Sequence, residues 1–355
     1  MGPSVNVVNS LSGCGSQRPN DNESKESPRL GHVISVRNAS SSRLCALWRG
    51  RSIRQQLRVG SLGPGLVSVR INGDQRFLEK IGLSDAFLGH AFKAHGRQQL
   101  AYIALDESRF TGRVIADGSR GLALTQMNRA DMDDLVSATG RTVVCINGGF
   151  FNHHRLAAAD MVECASIGVS LSHGEKMPHL PLPDGYVDDY IKIHFKDGSL
   201  LETAPALSCE GQPLISEEKM REPRYGSSKE LTGDRDPVIP GQLRHAREAH
   251  PRAAISASLS GDGRTRLVVG LDHGRRPLAE KRASDAGYTL LVWSRVMARI
   301  DRLETPANSS INLDGGGSAA VMVMMPDGSK TTQAQAASGR PIANFLAFVE
   351  NVASS

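Results

Sequence analysis

The sequence predicts an α+β protein whose catalytic domain has a mixed or antiparallel β-sheet with helices packed against it. Short apolar runs that are typical of strands outnumber the helical patterns along the chain. Hairpin turn signals join several of these runs directly, whereas a regular strand–helix alternation would favour a parallel α/β sheet. The 355 residues are 39% hydrophobic and 22% charged, which is enough for a sizeable core.

The first 58 residues differ in composition from the rest of the chain. They contain eleven serines and five asparagines but a single aromatic residue, Trp48. Such a segment buries too little apolar surface to offset the entropy lost on ordering. We therefore predict a flexible, Ser-rich, basic leader over residues 1–58 and one catalytic domain over residues 59–355.

The basic charge of the protein is concentrated in the same segment. The first 60 residues hold nine Lys and Arg against three Asp and Glu, whereas the whole chain has a net charge of +5. We therefore expect no nucleic-acid partner for the main domain. A leader that binds nucleic acid or a membrane surface remains an alternative, and it would make binding strongly salt-dependent.

The leader also bears on localisation. It contains no continuous apolar stretch of the kind found in Sec signal peptides, and no run along the chain approaches the length of a transmembrane helix. Serine-rich, acid-poor leaders resemble those of bacterial type III secreted effectors. We expect a soluble protein, either cytoplasmic or exported by a non-Sec route such as type III secretion.

Several classes of cofactor site are absent from the sequence. There is no GxxxxGK[ST] phosphate loop and no GxGxxG turn after a strand. The five cysteines form no CxxC pair, which argues against a zinc ribbon or a disulfide scaffold. His153 and His154 are adjacent, and His245, His250 and His273 lack the i, i+4 spacing of helical metal ligands. The sequence predicts no metal and no cofactor.

The predicted elements follow one another with recognisable turn signals. In chain order they are a strand at 101–105, a helix from Asn128 to Gly140, a strand at 143–146, a hairpin of 191–195 with 200–201, a polar loop at 211–250, a hairpin of 253–259 with 266–270, a helix at about 286–303, strands on both sides of three glycines at 315–317, and a last strand at 344–349. The helix at 286–303 has the strongest pattern, because its apolar residues form one stripe. They are Leu290, Trp293, Val296, Met297 and Ile300.

Two turns share a design that points to a binding site. The runs Ile146-Asn147-Gly148-Gly149 and Ile311-Asn312-Leu313-Asp314-Gly315-Gly316-Gly317-Ser318 both end an apolar strand at Asn or Asp and continue into glycines. Backbone without side chains can present N–H groups to an anion. One such turn is an ordinary hairpin signal, but two of them favour a site.

These turns belong to a series of blocks that resembles the phosphodiester glycosidase family, the family of the uncovering enzyme that removes N-acetylglucosamine from a phosphodiester link to mannose. Asn147-Gly148-Gly149-Phe150-Phe151 and Asn312-Leu313-Asp314-Gly315-Gly316-Gly317-Ser318 are similar to its N-G-G-F/Y-F and N-L-D-G-G-G-S blocks. Weaker matches are Glu163-Cys164-Ala165-Ser166-Ile167-Gly168, residues 207–215, Pro251-Arg252-Ala253-Ala254-Ile255-Ser256, residues 286–290 and residues 340–344. The resemblance covers residues 95–350.

The resemblance implies a hydrolase that cleaves the anomeric C–O bond of a sugar-1-phosphodiester and releases the sugar and a phosphomonoester. Because phosphate is a good leaving group, such a site needs positive charge on the phosphate and a carboxylate on the sugar side. We expect Arg252 to contact the phosphate, and Asp314 and Glu163 to be the carboxylates, as nucleophile or as base. The expected substrate-binding residues are Asn147, Gly148, Gly149, Asn312, Gly315, Gly316, Gly317 and Ser318.

Two alternatives remain open at this stage. Asp314 together with nearby oxygens would also suit a Ca²⁺ ion. The sequence departs from the family pattern at His273, which interrupts a D-G-R motif, and at Val292, where an acidic residue is usual. These departures favour a second hypothesis, a non-catalytic or altered module of a secreted effector that binds phosphorylated glycans or host proteins.

Overall fold

The computed structural model describes most of residues 57–352 and a short segment near the N-terminus. The described residues are 6–8, 57–80, 82–87, 97–116, 129–151, 166–172, 175–177, 179–180, 182, 189–225, 243, 245–258, 264–273, 287–306, 308–336 and 342–352. Most of the predicted leader lies outside these residues, as do Glu163, the His153-His154 pair and residues 226–242 of the predicted loop.

The described residues contain far more strands than helices. The strands are β1 (Asn6–Val8), β2 (Leu57–Gly63), β3 (Leu66–Gly73), β4 (Arg97–Asp106), β5 (Phe110–Ile115), β6 (Val143–Asn147), β7 (Ser166–Ile167), β8 (Ser170–Ser172), β9 (Glu175–Lys176), β10 (His179–Leu180), β11 (Ile191–His194), β12 (Leu200–Thr203), β13 (Ala206–Cys209), β14 (Gln212–Pro213), β15 (Arg252–Ser258), β16 (Arg264–His273), β17 (Asn308–Asn312), β18 (Ala320–Met324), β19 (Lys330–Gln335) and β20 (Phe345–Glu350). The α-helices are α1 (Gln75–Lys80), α2 (Arg129–Thr139) and α3 (Leu290–Glu304).

Three of the sheets are antiparallel throughout. The large sheet has eight strands in the order β14-β13-β17-β15-β16-β4-β3-β2. The second sheet has the order β19-β18-β6-β20-β5, and the third has the order β1-β11-β12-β8-β9. Strands β7 and β10 form a short parallel pair.

The large sheet and the second sheet pack face to face. On β4, Ile103 and its neighbours at i±2 lie in a core shared with Ile146 of β6 and Val323 of β18. The alternate residues of β4, such as Tyr102, face a different core that contains helix α3. The outer face of the second sheet packs against Val136 of α2. Because strand side chains alternate between faces, each sheet contributes to two cores, with a helix covering each outer side.

The α+β prediction is therefore correct only in part. The antiparallel sheets are as expected, but the described part of the chain is mainly β, and few helices pack against the sheets there. The sequence pattern missed several strands because they are short and polar. Strand β19, for example, has mostly exposed residues in its first half and lies at the edge of the second sheet.

The strongest element predictions are confirmed. Helix α3 buries the whole predicted apolar stripe, and Thr289 caps its N-terminus by accepting a hydrogen bond from the Val292 N–H at 3.3 Å. The predicted hairpin at 191–201 forms from β11 and β12. Its turn contains Gly198 at a φ of 84°. Strands β15 and β16 form the second predicted hairpin.

The three glycines lie where the chain crosses from one sheet to the other. Strand β17 belongs to the large sheet and β18 to the second sheet, so Asp314 and residues 315–319 connect the two layers. Strand β6, which ends at Asn147, pairs directly with β18. Both predicted turns therefore lie at the same junction between the sheets.

Within the described residues, no helix has the length and hydropathy that a membrane-spanning segment requires.

Candidate functional site

Hydrogen bonds connect the two glycine turns. The amide group of Asn147 donates to the Asp314 carbonyl oxygen at 2.7 Å, and its carbonyl oxygen accepts from the Ala320 N–H at 3.1 Å. The Asp314 N–H in turn donates to the Gly148 carbonyl oxygen at 2.9 Å. The side chain of Asn147 is fully buried, so these bonds are not shared with solvent. Asn147 therefore fixes the position of Asp314 relative to the second sheet.

The glycines are required mainly because backbone and polar groups approach them closely. A Cβ atom on Gly148 would lie 1.9 Å from Oδ1 of Asn344, and one on Gly315 would lie 2.6 Å from the Pro251 carbonyl oxygen. Gly316 has open space around it but a φ of 57°, which L-residues rarely adopt. The absence of side chains thus serves the packing of this junction.

Most of the N–H groups that were expected to hold an anion donate inside the protein. The N–H groups of Gly148 and Gly149 bond to the backbone oxygen and to Oδ1 of Asn344, at 3.0 and 2.8 Å. The N–H of Gly315 bonds to Oδ1 of Asp314 at 2.9 Å. The remaining two bonds are Gly316 N–H to Pro251 O at 2.8 Å and Ser318 N–H to Gly315 O at 3.1 Å. The expected anion cradle of backbone N–H groups is not supported by this geometry.

Asp314 and Arg252 form the charged centre of the junction. Their side chains are buried, with residue exposures of 9% and 6%. Burial lowers the pKa of Arg252 to about 10, while the negative charges of Asp314 and Glu248 act in the opposite direction. A carboxylate and a guanidinium that are both largely removed from water interact more strongly than at the surface.

The guanidinium of Arg252 is held by three backbone carbonyl groups. Its Nε donates to the Tyr288 oxygen at 2.8 Å, and its Nη2 donates to the oxygens of His245 and Glu248 at 2.7 and 3.0 Å. The Nη1 group takes part in none of these three bonds. Arg252 is thus oriented by the protein, and Nη1 is the part of its fork that the three carbonyl groups do not occupy.

Asn312 is the last residue of β17, two residues before Asp314, and it links this strand to the segment at residues 203–204. Its amide group donates to the Ala204 carbonyl oxygen at 3.0 Å, and its backbone oxygen accepts from the Thr203 hydroxyl at 3.0 Å. Its Oδ1 is buried and has no hydrogen-bond partner among the described residues. This oxygen is therefore a buried acceptor close to the predicted site, without a partner in the described part of the chain.

Sequence reasoning missed a group of acidic residues around Tyr190. Burial raises the pKa of the Tyr190 hydroxyl, and the negative charges of Glu202, Asp189 and Asp314 raise it further. Glu202 is buried, and its Oε2 accepts the Val169 N–H at 2.8 Å. These residues lie in or beside β11 and β12, in no recognisable motif, so only the fold reveals them near Asp314.

A second missed group consists of His245, Glu248 and His250. His245 Nδ1 and His250 Nε2 each lie 3.0 Å from Oε2 of Glu248. Burial lowers the pKa of His250 to about 4, and the nearby charge of Arg252 also lowers it. Residues in an irregular loop can converge without helical spacing, which is why no sequence pattern indicated this group.

The structure thus brings together Asn147, Gly148, Gly149, Arg252, Asn312 and Asp314–Ser318 at one junction. Glu163, the second predicted carboxylate, lies outside the described residues, so its place in the site stays a prediction.

Comparison with known proteins identifies a family. The model of the phosphodiester glycosidase family matches residues 140–349. No curated protein sequence matches the chain. Among solved structures, the catalytic domain of zebrafish N-acetylglucosamine-1-phosphodiester alpha-N-acetylglucosaminidase, auto-inhibited by its pro-peptide, is 16% identical with a TM-score of 0.43, over 82% of this chain and 86% of that chain. A Burkholderia pseudomallei protein is 11% identical with a TM-score of 0.49, over 82% of this chain and 95% of that chain.

Proposed function

The chain belongs to the phosphodiester glycosidase family, and from this premise we propose that it hydrolyses the anomeric C–O bond of a sugar-1-phosphodiester. The proposed products are the free sugar and a phosphomonoester, and the proposed sugar is of the N-acetylglucosamine type. The observation that carries the proposal is that Asp314 and Arg252 are both buried at the junction of the two glycine turns, where the charge of Asp314 acts on the Arg252 guanidinium.

The proposed reaction needs few protein groups. Water, or a carboxylate that water later replaces, attacks the anomeric carbon, the bond between this carbon and the phosphodiester oxygen breaks, and the phosphate leaves with the electron pair. The proton of the attacking water passes to a carboxylate. Because the leaving phosphate needs little protonation, the main demands are a carboxylate near the sugar and a positive charge near the phosphate.

Arg252 and Asp314 meet these two demands. Arg252 has a fixed orientation because three carbonyl groups bind it, so little reorganisation is needed when its remaining N–H groups contact a phosphate oxygen. Asp314 is fixed through its backbone by Asn147 and Gly148. Its charge also lies near enough to Arg252 and Tyr190 to influence their pKa values, which supports a common site for these groups.

The role of Asp314 has two forms with different products. As the base, it activates water and the configuration of the anomeric carbon is inverted. As the nucleophile, it forms a glycosyl ester that water then hydrolyses, and the configuration is retained. The anomer that forms first, followed by proton NMR, separates the two forms.

The test of the proposal is sugar release by the purified full-length protein. UDP-GlcNAc and the α-1-phosphodiester of GlcNAc with methanol serve as substrates, and free GlcNAc is measured. We expect Asp314→Asn to lower kcat/KM by roughly 10²–10⁴-fold, as for loss of a general base. No sugar release by folded wild-type protein from either compound, or from mannose and glucose analogues, would reject the proposal.

Asp327→Asn is the matched control. Asp327 is also a turn aspartate, and its Oδ1 accepts the Ser329 N–H at 2.8 Å, just as Oδ1 of Asp314 accepts the Gly315 N–H at 2.9 Å. Asparagine keeps an acceptor oxygen in both places, so only the charge is removed. Asp327 lies in an exposed hairpin turn, and we expect its variant to retain wild-type activity. Equal activities of the two variants would remove Asp314 from the mechanism.

A further inference from the structure

The loop before Arg252 brings two imidazoles and a carboxylate to one point. His245 Nδ1 and His250 Nε2 both lie 3.0 Å from the same atom, Oε2 of Glu248. The ligand atoms of the three residues all lie within 4.8 Å of one another, and the two imidazole rings are 4.8 Å apart between centroids. The side chain of His250 is mostly buried, whereas that of His245 is more exposed.

The backbone of this loop is held in place independently of the three side chains. Nη2 of Arg252 binds the carbonyl oxygens of His245 and Glu248. The backbone of His250 pairs with Tyr288 in both directions, at 3.3 and 2.8 Å, and the Leu290 N–H donates to the Ala246 oxygen at 2.7 Å. The backbone that carries the three side chains is therefore set before any ligand binds, which reduces the entropic cost of binding.

The donor set has a definite chemical preference. Two imidazole nitrogens and one carboxylate match the ligands of three-residue zinc sites, whereas Ca²⁺ and Mg²⁺ prefer sites made of oxygen atoms. Zinc binds these ligands at about 2.0–2.2 Å, so ligand atoms on a shared ion are separated by roughly 3–4 Å. The 3.0 Å distances in the loop are close to that spacing, and small side-chain rotations suffice to reach it.

We propose that His245, Glu248 and His250 form a binding site for a divalent transition-metal ion of the zinc class. Glu248 supplies the negative charge that such an ion needs, and the two imidazoles bind it in their neutral form. The positive charge of Arg252 repels a bound metal ion. The negative charges of Asp314 and Glu248 act on the same guanidinium and offset part of this repulsion. Three protein ligands leave one tetrahedral position for water or a substrate oxygen.

The proposed metal site lies directly before Pro251 and Arg252 in the chain, so a bound ion would affect the junction. Pro251, which directly follows His250, accepts the Gly316 N–H at 2.8 Å through its carbonyl oxygen. Arg252 comes next and carries the charge beside Asp314. An ion bound to the loop would therefore add positive charge at the edge of the site where Arg252 lies, and would fix the loop that orients Arg252.

Cobalt binding to the full-length protein tests this site directly. Protein stripped with a chelator is titrated with Co²⁺, whose visible absorption reports coordination, and Zn²⁺ is then added as a competitor. We expect one Co²⁺ per chain, displaced by one Zn²⁺. The H245A/H250A variant should lose this binding, and E248Q should bind roughly 10–100-fold more weakly, since loss of a charged ligand costs at least as much as loss of a supporting residue.

His194→Ala is the matched control, because His194 ends β11 and is not one of the three residues. Circular dichroism and urea unfolding confirm that each variant is folded. The proposal is overturned if folded wild-type protein binds no Co²⁺, if H245A/H250A binds it as the wild type does, or if His194→Ala loses it equally. Sugar release without Co²⁺ binding would overturn this site alone, and Co²⁺ binding without sugar release would overturn the proposed function alone.

Discussion

Asp301 and Asp314 are both buried near an arginine, but their carboxylates have different surroundings. Asp301 lies on α3, is fully buried, and accepts hydrogen bonds from three serine hydroxyl groups, with Nη1 of Arg266 at 4.0 Å. The three serines are Ser208, Ser256 and Ser310, with distances of 2.5–2.6 Å. They belong to three neighbouring strands of the large sheet, so Asp301 joins the helix to the sheet through its side chain.

Asp314 is held mainly through its backbone. Asn147 and Gly148 bind its carbonyl oxygen and its N–H, while Oδ1 of its carboxylate accepts the N–H of the next residue, Gly315. The long-range contacts that hold Asp314 in place would therefore survive a change in its carboxylate. The comparison suggests that Asp301 is used for folding and that Asp314 is placed for chemistry.

The largest expected effect is that of Asp301→Ala on stability. It leaves three buried hydroxyl groups without their acceptor and the buried charge of Arg266 without its nearest carboxylate, which typically costs about 3–5 kcal/mol. Urea unfolding measures the loss. We expect the folded fraction of the variant to release sugar at the wild-type rate, and Asp327→Ala, at an exposed turn, to change neither property. A fall in kcat of folded Asp301→Ala would contradict the assignment of Asp301 to folding alone.

Asn147→Ala should come next, and it should affect both stability and activity. It leaves the Asp314 oxygen and the Ala320 N–H buried without the partner that each has now, at a cost of about 2–4 kcal/mol for the two groups. Because Asn147 also positions Asp314, kcat/KM should fall in the folded variant as well. Urea unfolding and the sugar-release assay measure the two effects.

Asn351→Ala is the control for this prediction. Its side chain also makes two hydrogen bonds, with the Thr111 hydroxyl and the Ser108 oxygen, but it lies nearer the surface. We expect a smaller loss of stability and no change in activity. If Asn147→Ala lost stability alone, the position of Asp314 would not depend on this side chain.

Much of this junction could be predicted from the sequence because its signals are local. Asn147 and Asp314 each end a short apolar strand and precede glycines, and both turns proved to lie together. Two of the glycines also have a reason that was not predicted, since Asn344 approaches Gly148 closely and Pro251 approaches Gly315. A sequence indicates that a position excludes side chains, but it does not identify what occupies the space.

The remaining site residues carried no local signal. Tyr190 comes within electrostatic reach of both Glu202 and Asp314 only in the fold, in which β11 and β12 pair. His245, Glu248 and His250 converge through a loop whose shape depends on Arg252 and Tyr288. Asp301 offered a partial signal, because it falls on the apolar face of α3, one helical turn after Met297.

Replacing each of the two buried arginines by lysine tests whether the arginine beside Asp314 and the arginine beside Asp301 also differ in role. Arg252→Lys keeps the positive charge but loses the planar fork, so the carbonyl groups of His245, Glu248 and Tyr288 lose part of their binding. We expect kcat/KM to fall by about 10–100-fold, the equivalent of about one charge-assisted hydrogen bond. Arg266→Lys should lower stability without this loss. Equal kinetic effects of the two substitutions would mean that Arg252 has no special role with the substrate.

The smallest expected effect is a pH dependence of stability that comes from Asp301. Burial raises the pKa of its carboxyl group, and the hydrogen bonds from the three serines and the charge of Arg266 offset part of this effect. A carboxyl group whose pKa is higher in the folded state favours folding while it is protonated, and this contribution is lost as the pH rises through the folded pKa.

Asp301→Asn cannot titrate and keeps hydrogen-bonding groups for the serines. Relative to this variant, the wild type should therefore lose stability as the pH rises from the unfolded value of about 3.9. Urea unfolding at a series of pH values measures the difference, and a gain in relative stability over the same range would show that the serines and Arg266 outweigh burial.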